Sequence, residues 1–384
     1  MTLAEVLSNE ELRNHEFPVT AERIFLAHAG DCPLPRRVAE AIAKYAMQAT
    51  TGDQERPIFP GILDRGRELA ARLLCSHAEE IAFVGPTSLA LSFIASGLNF
   101  RRHDNILIYF DDYPSNVYPW MELAERGVQV RLINTRELGV IRPIDVMDQV
   151  DEQTRLVALA SCHFVAGTRL DYEAIGTFLR ERKILFSVDA IQTLGAFPMN
   201  VANIDFLAAD AHKWLLGPCA AGLMYVRREQ QEFLRPPIYG STNVRSPNFI
   251  AQEEIVFRKT AQRYEPGSYN LLGLVGLIAA MELLLEIGVE NIAAELLRKR
   301  AWLVPALQAK GCQVLAANAG PGAASGITSF FHADTAVIPA LHQKMEAAGI
   351  VTSLRADRQG RRYLRLSPHF YNTDAELQRV MELV

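Results

Sequence analysis

The stretch ILFSVDA at residues 184–190 and the stretch ADAHKWLLGP at residues 209–218 decide how this chain folds. The first consists of β-branched and aromatic residues and ends in Asp189 and Ala190, a pattern that predicts a buried strand followed by a turn. The second begins at the end of another apolar run, DFLAA at residues 205–209, and contains Lys213. An acid and a lysine therefore each lie just beyond a predicted strand.

Short β-rich runs alternate with amphipathic segments from about residue 66 to residue 226, with helices predicted over residues 89–97 and 172–183. Alternating strands and helices predict an α/β fold with a mostly parallel, seven-stranded sheet covered on both faces. Ligands of such sheets bind beyond the carboxyl ends of the strands. The seven predicted strands begin near Ile81, Ile106, Val128, Arg155, Ile184, Asp205 and Gly222.

Two domains are predicted, because 384 residues with 49% hydrophobic content exceed the usual size of one compact unit. After about residue 265 the pattern changes to a long apolar helix followed by a mixed segment, which is typical of a smaller α+β domain. We predict a large domain over residues 21–264 and a small domain formed by residues 1–20 together with residues 265–384.

Composition and charge exclude several classes of partner. A net charge of −5 with scattered basic residues argues against nucleic acid. The apolar run at residues 271–281 falls short of the ~20 residues that cross a bilayer, so a buried helix and no membrane partner are predicted. The first residues lack a secretory signal, which predicts a cytoplasmic protein. The five cysteines form no CxxC pair, so neither a disulfide framework nor a metal site is predicted.

Lys213 and Asp189 are candidates for the two ends of a pyridoxal phosphate (PLP) site. A lysine condenses with the aldehyde of PLP, and a carboxylate keeps the pyridine nitrogen protonated and the ring electron-withdrawing. As alternatives, Lys213 is a surface group and Asp189 caps a helix beginning near Ala190. Gln192 either completes that capping box or donates to the phenolic oxygen of the cofactor. The pairing of the acid and the lysine favours the cofactor.

A phosphate site is predicted where a strand ends and a helix begins. Thr87 and Ser88 occupy this position, and the first turn of a helix offers free N–H groups and the positive end of the helix dipole. His212 adds a further donor. Asp210 would repel a phosphate unless its carboxylate faces away.

Three further side chains are candidates for the site. Tyr113 and His163 each follow a predicted strand, and a tyrosine ring there stacks on a pyridine face. Arg365 lies between two leucines, where its guanidinium fork matches a carboxylate, with a surface ion pair as the alternative.

Several motifs together resemble the class V aminotransferase family of fold type I PLP enzymes, which includes cysteine desulfurases, isopenicillin N epimerase and related lyases. The similarity extends over most of the chain, from IFLAHAGDCPLP at residues 24–35 to SPHFYNT at residues 367–373. Its most specific pieces are SVDAIQTLGAFPMNV and ADAHKWLLGP, supported by DYPSNVYPW, YEPGSYN and YLRLSPHFYNT.

The resemblance implies a role for each matched residue. Lys213 would hold PLP as an internal aldimine, Asp189 would meet the pyridine nitrogen, and Gln192 would bond the ring oxygen. Arg365 would bind the substrate carboxylate. Contacts to the phosphate would come from Thr87, Ser88 and His212, and from Gly267 and Ser268 of a partner subunit, which implies a homodimer with shared active sites.

The chain also departs from the family pattern. Tyr113 stands where the desulfurase branch often has histidine, His163 where relatives commonly carry glutamine or asparagine, and Asp210 where a serine is frequent. Desulfurases that form a persulfide need a mobile thiolate, and the corresponding segment SLRADRQGRR at residues 353–362 has no cysteine. A thiol-dependent desulfurase is therefore disfavoured.

We predict a PLP-dependent transferase or lyase that acts on a small amino acid through an external aldimine and an α-carbanion. Transamination, C–S cleavage of cysteine or cystine without an enzyme thiol, and epimerisation share this carbanion, and the sequence leaves the branch open. A PLP-binding protein without turnover is the alternative from another class. No nucleotide-binding glycine motif follows a predicted strand.

Overall fold

A computed structural model describes residues 1–55 and 61–384. Its α-helices are α1 (Leu3–Ser8), α2 (Glu10–Glu16), α3 (Val19–Glu22), α4 (Arg36–Gln48), α5 (Gly61–Leu74), α6 (Thr87–Gly97), α7 (Tyr118–Met121), α8 (Pro143–Met147), α9 (Tyr172–Glu181), α10 (Leu271–Ile287), α11 (Val289–Ala309), α12 (Val337–Ala347) and α13 (Asp374–Leu383). Its strands are β1 (Ile24–Phe25), β2 (Ile81–Phe83), β3 (Asn105–Ile108), β4 (Gln129–Leu132), β5 (Thr154–Ala160), β6 (Leu185–Asp189), β7 (Phe206–Ala209), β8 (Leu223–Val226), β9 (Gln313–Val314), β10 (Thr328–Phe331), β11 (Ile350–Val351), β12 (Ser353–Ala356) and β13 (Arg362–Leu366).

The central sheet has seven strands in the order β2-β8-β7-β6-β5-β3-β4. Strand β8 runs antiparallel to both of its neighbours, and all other neighbouring strands are parallel. These are the seven strands predicted from the sequence, so the α/β class and the mostly parallel sheet are confirmed.

Both faces of the central sheet are covered by apolar cores. In β5, Val157 and Leu159 pack into one core, while Leu156 and Ala158 pack into the other. Because successive side chains of a strand point to opposite faces, a strand buried on both sides is apolar throughout. This burial explains the uninterrupted apolar runs of the sequence.

A second, antiparallel sheet has the order β12-β13-β10-β9 and packs with α12 and α13 around a third core. Phe17, between α2 and α3, and Tyr371, ahead of α13, both belong to the first core, where their rings stack with 4.2 Å between centroids. Helix α10, which the predicted division at residue 264 assigns to the small domain, packs against α4 and α5 of the large one. The domain boundaries therefore stay a proposal.

No single helix within residues 1–55 and 61–384 is long and apolar enough to cross a membrane. Helices α10 and α11 satisfy the length and composition test only as a pair, with a bend of 75° between them. Most side chains of α10 are buried in the protein core, as predicted for the apolar run at residues 271–281.

Candidate active site

The register of the central sheet brings the predicted site residues to one edge. Ala160 of β5 lies beside Asp189 of β6, which lies beside Ala208 of β7. These parallel strands end together, so the segments that follow them meet at the carboxyl edge. The turn that precedes α6 lies at the same edge, because Thr87 Oγ1 accepts a hydrogen bond from Asp210 N–H at 2.8 Å.

Asp189 is the last residue of β6 and is 3% exposed. One carboxylate oxygen, Oδ1, accepts the Ile191 N–H at 3.0 Å, and no cationic side chain of the described residues pairs with it. Burial raises the pKa of Asp189 to about 7, against the hydrogen bond from Ile191. A buried carboxylate in this position is stabilised by a positively charged ligand.

The alternative role of Asp189 as a helix cap is wrong. Residues 191–193 form a turn, and the Asp189 carboxylate accepts the N–H two residues ahead, which is the bond of a local turn. The side chain is thus held at the end of the strand, and no other donor of residues 1–55 and 61–384 bonds its carboxylate.

Lys213 is 6% exposed, and its Nζ lies 5.2 Å from the centroid of the Tyr113 ring. Within the described residues its ammonium group makes no hydrogen bond or ion pair. Burial lowers the pKa of Lys213 to about 8, opposed by the charge of Asp189. The prediction of a surface lysine is therefore wrong, and a buried amine with a lowered pKa is suited to act as a nucleophile and a base.

The carboxylate of Asp210 is hydrogen-bonded to the loop that carries Lys213. Oδ1 accepts the Ala211 N–H at 2.9 Å, and Oδ2 accepts the Ala220 N–H at 3.0 Å and Nδ1–H of His212 at 2.8 Å. These bonds fix the backbone around Lys213 and distribute the acid's charge over three donors. They also orient the His212 ring, whose Nε2 makes no hydrogen bond within residues 1–55 and 61–384.

His212 Nε2 lies 3.8 Å from an oxygen of Asp31, and the side chains of Asp31, His212 and Cys219 have ligand atoms within 4.8 Å of one another. Asp31 and Cys219 are exposed. A structural zinc site has four ligands in a closed shell, which this group does not supply.

The predicted phosphate turn lies at the start of α6. Thr87 is buried and Ser88 half-buried, and neither backbone N–H donates to any described residue. The helix runs for eleven residues behind this turn. Free N–H groups at a helix start suit an anion.

Tyr113 follows β3 and is 45% exposed on the open side of the site. Asp112 beside it is buried and accepts the Tyr113 N–H at 2.7 Å and Nδ2–H of Asn116 at 3.0 Å. Burial raises the pKa of Asp112 to about 6. The Tyr113 ring contacts the edge of Phe164 with 5.4 Å between centroids, so the two rings form one wall of the site.

Arg365 is 1% exposed and has no acidic partner among the described residues. Nη1 donates to Phe164 O at 2.7 Å and Nη2 donates to Ser353 Oγ at 3.3 Å, whereas Nε has no partner in the part of the chain that the structure describes. The predicted surface ion pair is therefore wrong. A buried guanidinium without a counter-ion requires an anion from a ligand to balance it.

Gln192 and His163 are held by the protein itself. The Gln192 amide donates to Ala29 O at 3.0 Å and accepts from Trp214 Nε1 at 2.9 Å, which leaves one amide N–H for a ligand. Nε2–H of His163 donates to Asp111 O at 3.0 Å, and Nδ1 accepts the Ala166 N–H at 2.9 Å.

Because both His163 nitrogens are engaged and burial lowers the pKa of His163 to about 4, this ring is neutral and braces the loops. It is not free to bond a cofactor, contrary to its place among the predicted binding residues.

Gly267 and Ser268 line a cavity of 350 Å³, whose lining does not include Lys213. Gly85, Ala220 and Gly222 also line this cavity, so it adjoins the turn before α6. A methyl group placed on Gly267 would meet no atom of the described part of the chain within 4 Å, which leaves the backbone open to a second molecule.

Sequence reasoning missed Asp112, Phe164 and Arg355. Asp112 had a signal, since it precedes Tyr113 directly beyond a predicted strand. Arg355 also had a signal, because it lies two residues after Ser353 in the segment SLRADRQGRR, where alternate residues of a strand share one face. Phe164 had none, because its place beside Tyr113 depends on how two loops meet.

The fold and site define a class of protein: an α/β enzyme fold with a buried lysine and a buried carboxylate at the carboxyl edge of one sheet. The model of the aminotransferase class-V family matches residues 24–380, and the chain belongs to this family. A probable cysteine desulfurase of Methanothermobacter thermautotrophicus is 31% identical over 293 residues, which are 74% of this chain and 72% of that protein.

Solved structures have the same fold. An apo cysteine desulfurase from Thermococcus onnurineus superposes with a TM-score of 0.86 at 22% identity, covering 97% of this chain and 96% of that one. The cystine C–S lyase C-DES, in complex with its product cysteine persulfide, also gives a TM-score of 0.86, at 21% identity, covering 95% of this chain and 98% of that one.

Proposed function

We propose that this chain is a PLP-dependent enzyme that removes the α-proton of a small amino acid, with Lys213 as the base. The observation that carries the proposal is the pair of opposite groups, a buried amine without a partner and a buried carboxylate without a cation, at the edge where the sheet binds ligands. PLP requires both groups, and the family resemblance assigns them to these positions.

The described residues fit PLP at each of its polar ends. Asp189 would pair with the pyridine nitrogen, the free N–H groups at Thr87 and Ser88 would hold the phosphate, and Lys213 would hold the aldehyde carbon. The hydrogen bonds that the Asp210 oxygens accept from their own loop stabilise the carboxylate where it lies and reduce its repulsion of a phosphate. When bound, PLP supplies a ring that accepts the electrons left at the substrate α-carbon.

Four side chains have separate roles in this proposal. Arg365 binds the α-carboxylate and so fixes the orientation of the substrate. Lys213, with a pKa lowered to about 8 by burial, accepts and returns a proton near neutral pH. The rings of Tyr113 and Phe164 keep water away from one side of the reacting atoms.

A C–S lyase acting on cysteine or cystine is the second candidate, favoured by the relatives described above. Such a lyase would work without an enzyme thiol. The hairpin at residues 353–366 has no cysteine, and burial raises the pKa of Cys162 to about 11, so this thiol is protonated. Incubation with cysteine, cystine and alanine separates the two candidates: release of sulfide from cysteine or of a persulfide from cystine marks the lyase, and a keto acid without either sulfur product marks amino transfer.

A homodimer with shared active sites remains a prediction from the resemblance. It is supported by exposed apolar side chains in the segment beside Gly267 and Ser268: Ile238, Tyr239, Phe249, Ile250, Ile255 and Val256. Thr242 ties this segment to the loop of Gly267 by donating a hydrogen bond to Gly267 O at 3.3 Å. The expected cytoplasmic location is likewise a prediction.

The uptake of PLP by the apo-protein should follow the ionisation of Lys213. Only the neutral amine attacks an aldehyde, and a pKa lowered to about 8 means that the rate increases about tenfold per pH unit below that value and levels off above it. Stopped-flow absorbance measures the rate, with Nα-acetyl-lysine as the control amine. A protein rate that keeps increasing to pH 10, as the control does, would contradict the lowered pKa.

Replacing Arg365 with methionine should weaken the binding of carboxylate substrates. The variant keeps the apolar stem but loses the charged fork, which costs about 1.5–3 kcal/mol of binding free energy. Titration of the PLP-loaded protein with alanine should report this loss, whereas ethylamine, which lacks the carboxylate, should bind both proteins equally. Equal affinity of both proteins for alanine would remove Arg365 from the substrate site.

A further inference from the structure

Two arginines of the β12–β13 hairpin, Arg355 and Arg365, face the same small space beside Gly30. The antiparallel register pairs Ser353 with Arg365 and Arg355 with Tyr363, so the two arginines occupy diagonal positions on one face of the hairpin. A methyl group placed on Gly30 would lie 3.4 Å from Nη2 of Arg365 and 3.5 Å from Nη2 of Arg355. Both guanidinium groups therefore reach one point.

Neither arginine has an anionic partner among residues 1–55 and 61–384. Arg365 is bonded only to Phe164 O and Ser353 Oγ, and Arg355 only to the neighbouring Leu354 O at 3.4 Å. The nearby acid Asp31 has a side chain that is 77% exposed and lies beside His212. Two positive charges at diagonal positions repel each other. An anion between them attracts both guanidinium groups and so offsets their mutual repulsion.

The two arginines are not equivalent as binding partners for the α-carboxylate of a substrate. Arg365 is fully buried and has its Nε free beside Nη2, which is the edge that binds a carboxylate with two hydrogen bonds. Arg355 is half-buried, so its guanidinium is nearer the solvent than that of the fully buried Arg365. When the α-carboxylate occupies Arg365, the Arg355 guanidinium is left facing the side chain of the substrate.

We propose that the substrate is an amino acid whose short side chain carries a second anionic group, bound by Arg355 while Arg365 binds the α-carboxylate. This inference rests on the proposed function and adds the substrate class to it. Aspartate has this chemistry. Neutral side chains, such as those of alanine, cysteine and asparagine, leave Arg355 without a partner.

The test titrates the PLP-loaded protein with L-aspartate, L-asparagine and L-alanine and follows the cofactor spectrum to obtain each Kd. Aspartate should bind about 10- to 100-fold more tightly than asparagine, which has the same shape without the charge. Arg355→Gln should weaken aspartate binding by about the same factor and leave alanine binding unchanged. Arg362→Gln, an exposed arginine of the same hairpin, is the matched control and should alter neither affinity.

Two outcomes would overturn the inference. Equal affinity of the unmodified protein for aspartate and asparagine means that no second anion is recognised. Equal weakening of alanine and aspartate by Arg355→Gln means that Arg355 shares the α-carboxylate with Arg365. If Arg355→Gln does not fold, Arg355→Lys, which keeps the charge, takes its place as a variant. The ratio of the Kd values for aspartate and asparagine, measured on the unmodified protein, then decides whether a second anion is recognised. A protein that forms no coloured complex with PLP contradicts the proposed function itself, whereas a coloured protein without this preference contradicts only the inference.

Discussion

Lys213→Ala should abolish the visible absorbance that develops when the protein is mixed with PLP, and with it all turnover. The absorbance arises from the bond between the cofactor aldehyde and a lysine amine, and Lys213 is the buried lysine of the predicted site. The same amine is the proposed base, so the variant loses both functions. Spectra of the variant and the unmodified protein at equal PLP concentration measure the effect.

The fold should survive the loss of Lys213. Its ammonium group is buried without a hydrogen bond or ion pair among the described residues, so its removal takes away an unfavourable charge. Lys44→Ala, on the exposed side of α4, is the control and should give the full absorbance. A Lys213→Ala protein that stays folded and still develops the band would show that another amine holds the cofactor.

Asp189→Asn should reduce turnover by about 10²–10³-fold or more while PLP still binds. The amide has the shape of the carboxylate and still accepts the Ile191 N–H, but it does not stabilise a proton on the pyridine nitrogen. The ring then accepts electrons from the α-carbon poorly, so the proton transfer slows. Single-turnover kinetics with a bound amino acid measure this step.

The control for Asp189→Asn is Asp205→Asn, at the other end of the sheet, where the carboxylate accepts the Phe186 N–H at 2.9 Å. It should lower thermal stability without changing the rate of the folded protein by more than about twofold. Turnover that persists in Asp189→Asn at the unmodified rate would place the pyridine nitrogen elsewhere.

The sequence predicted the central sheet because each strand has its own local signal. Apolar runs such as those of β5 and β6 are bounded by turn residues, and their burial on both faces follows from the covering helices. The positions of Lys213 and Asp189 beyond two neighbouring strands followed from the same rule. The alternation of strands and helices therefore predicts that the site lies at the carboxyl edge of the central sheet.

Contacts between segments that are distant in the chain could not be predicted from the sequence. Whether Arg365 forms a surface ion pair or a buried site depends on Phe164 and Ser353, which lie on separate loops and strands. The prediction that Asp189 caps a helix was wrong because of a local feature rather than a distant contact. Residues 191–193 form a turn instead of the first turn of a helix. His163 looked available from its position, yet its nitrogens bond to the backbone of two loops.

The most direct test of the central claim is reduction of the PLP-loaded protein with borohydride, followed by digestion and mass spectrometry. Reduction fixes the cofactor to the amine that holds it, so the modified peptide identifies the lysine. We expect a single labelled peptide that contains ADAHKWLLGP with the modification on Lys213. A label on any other residue, or no labelled peptide from protein that is folded and supplied with PLP, would contradict the central claim.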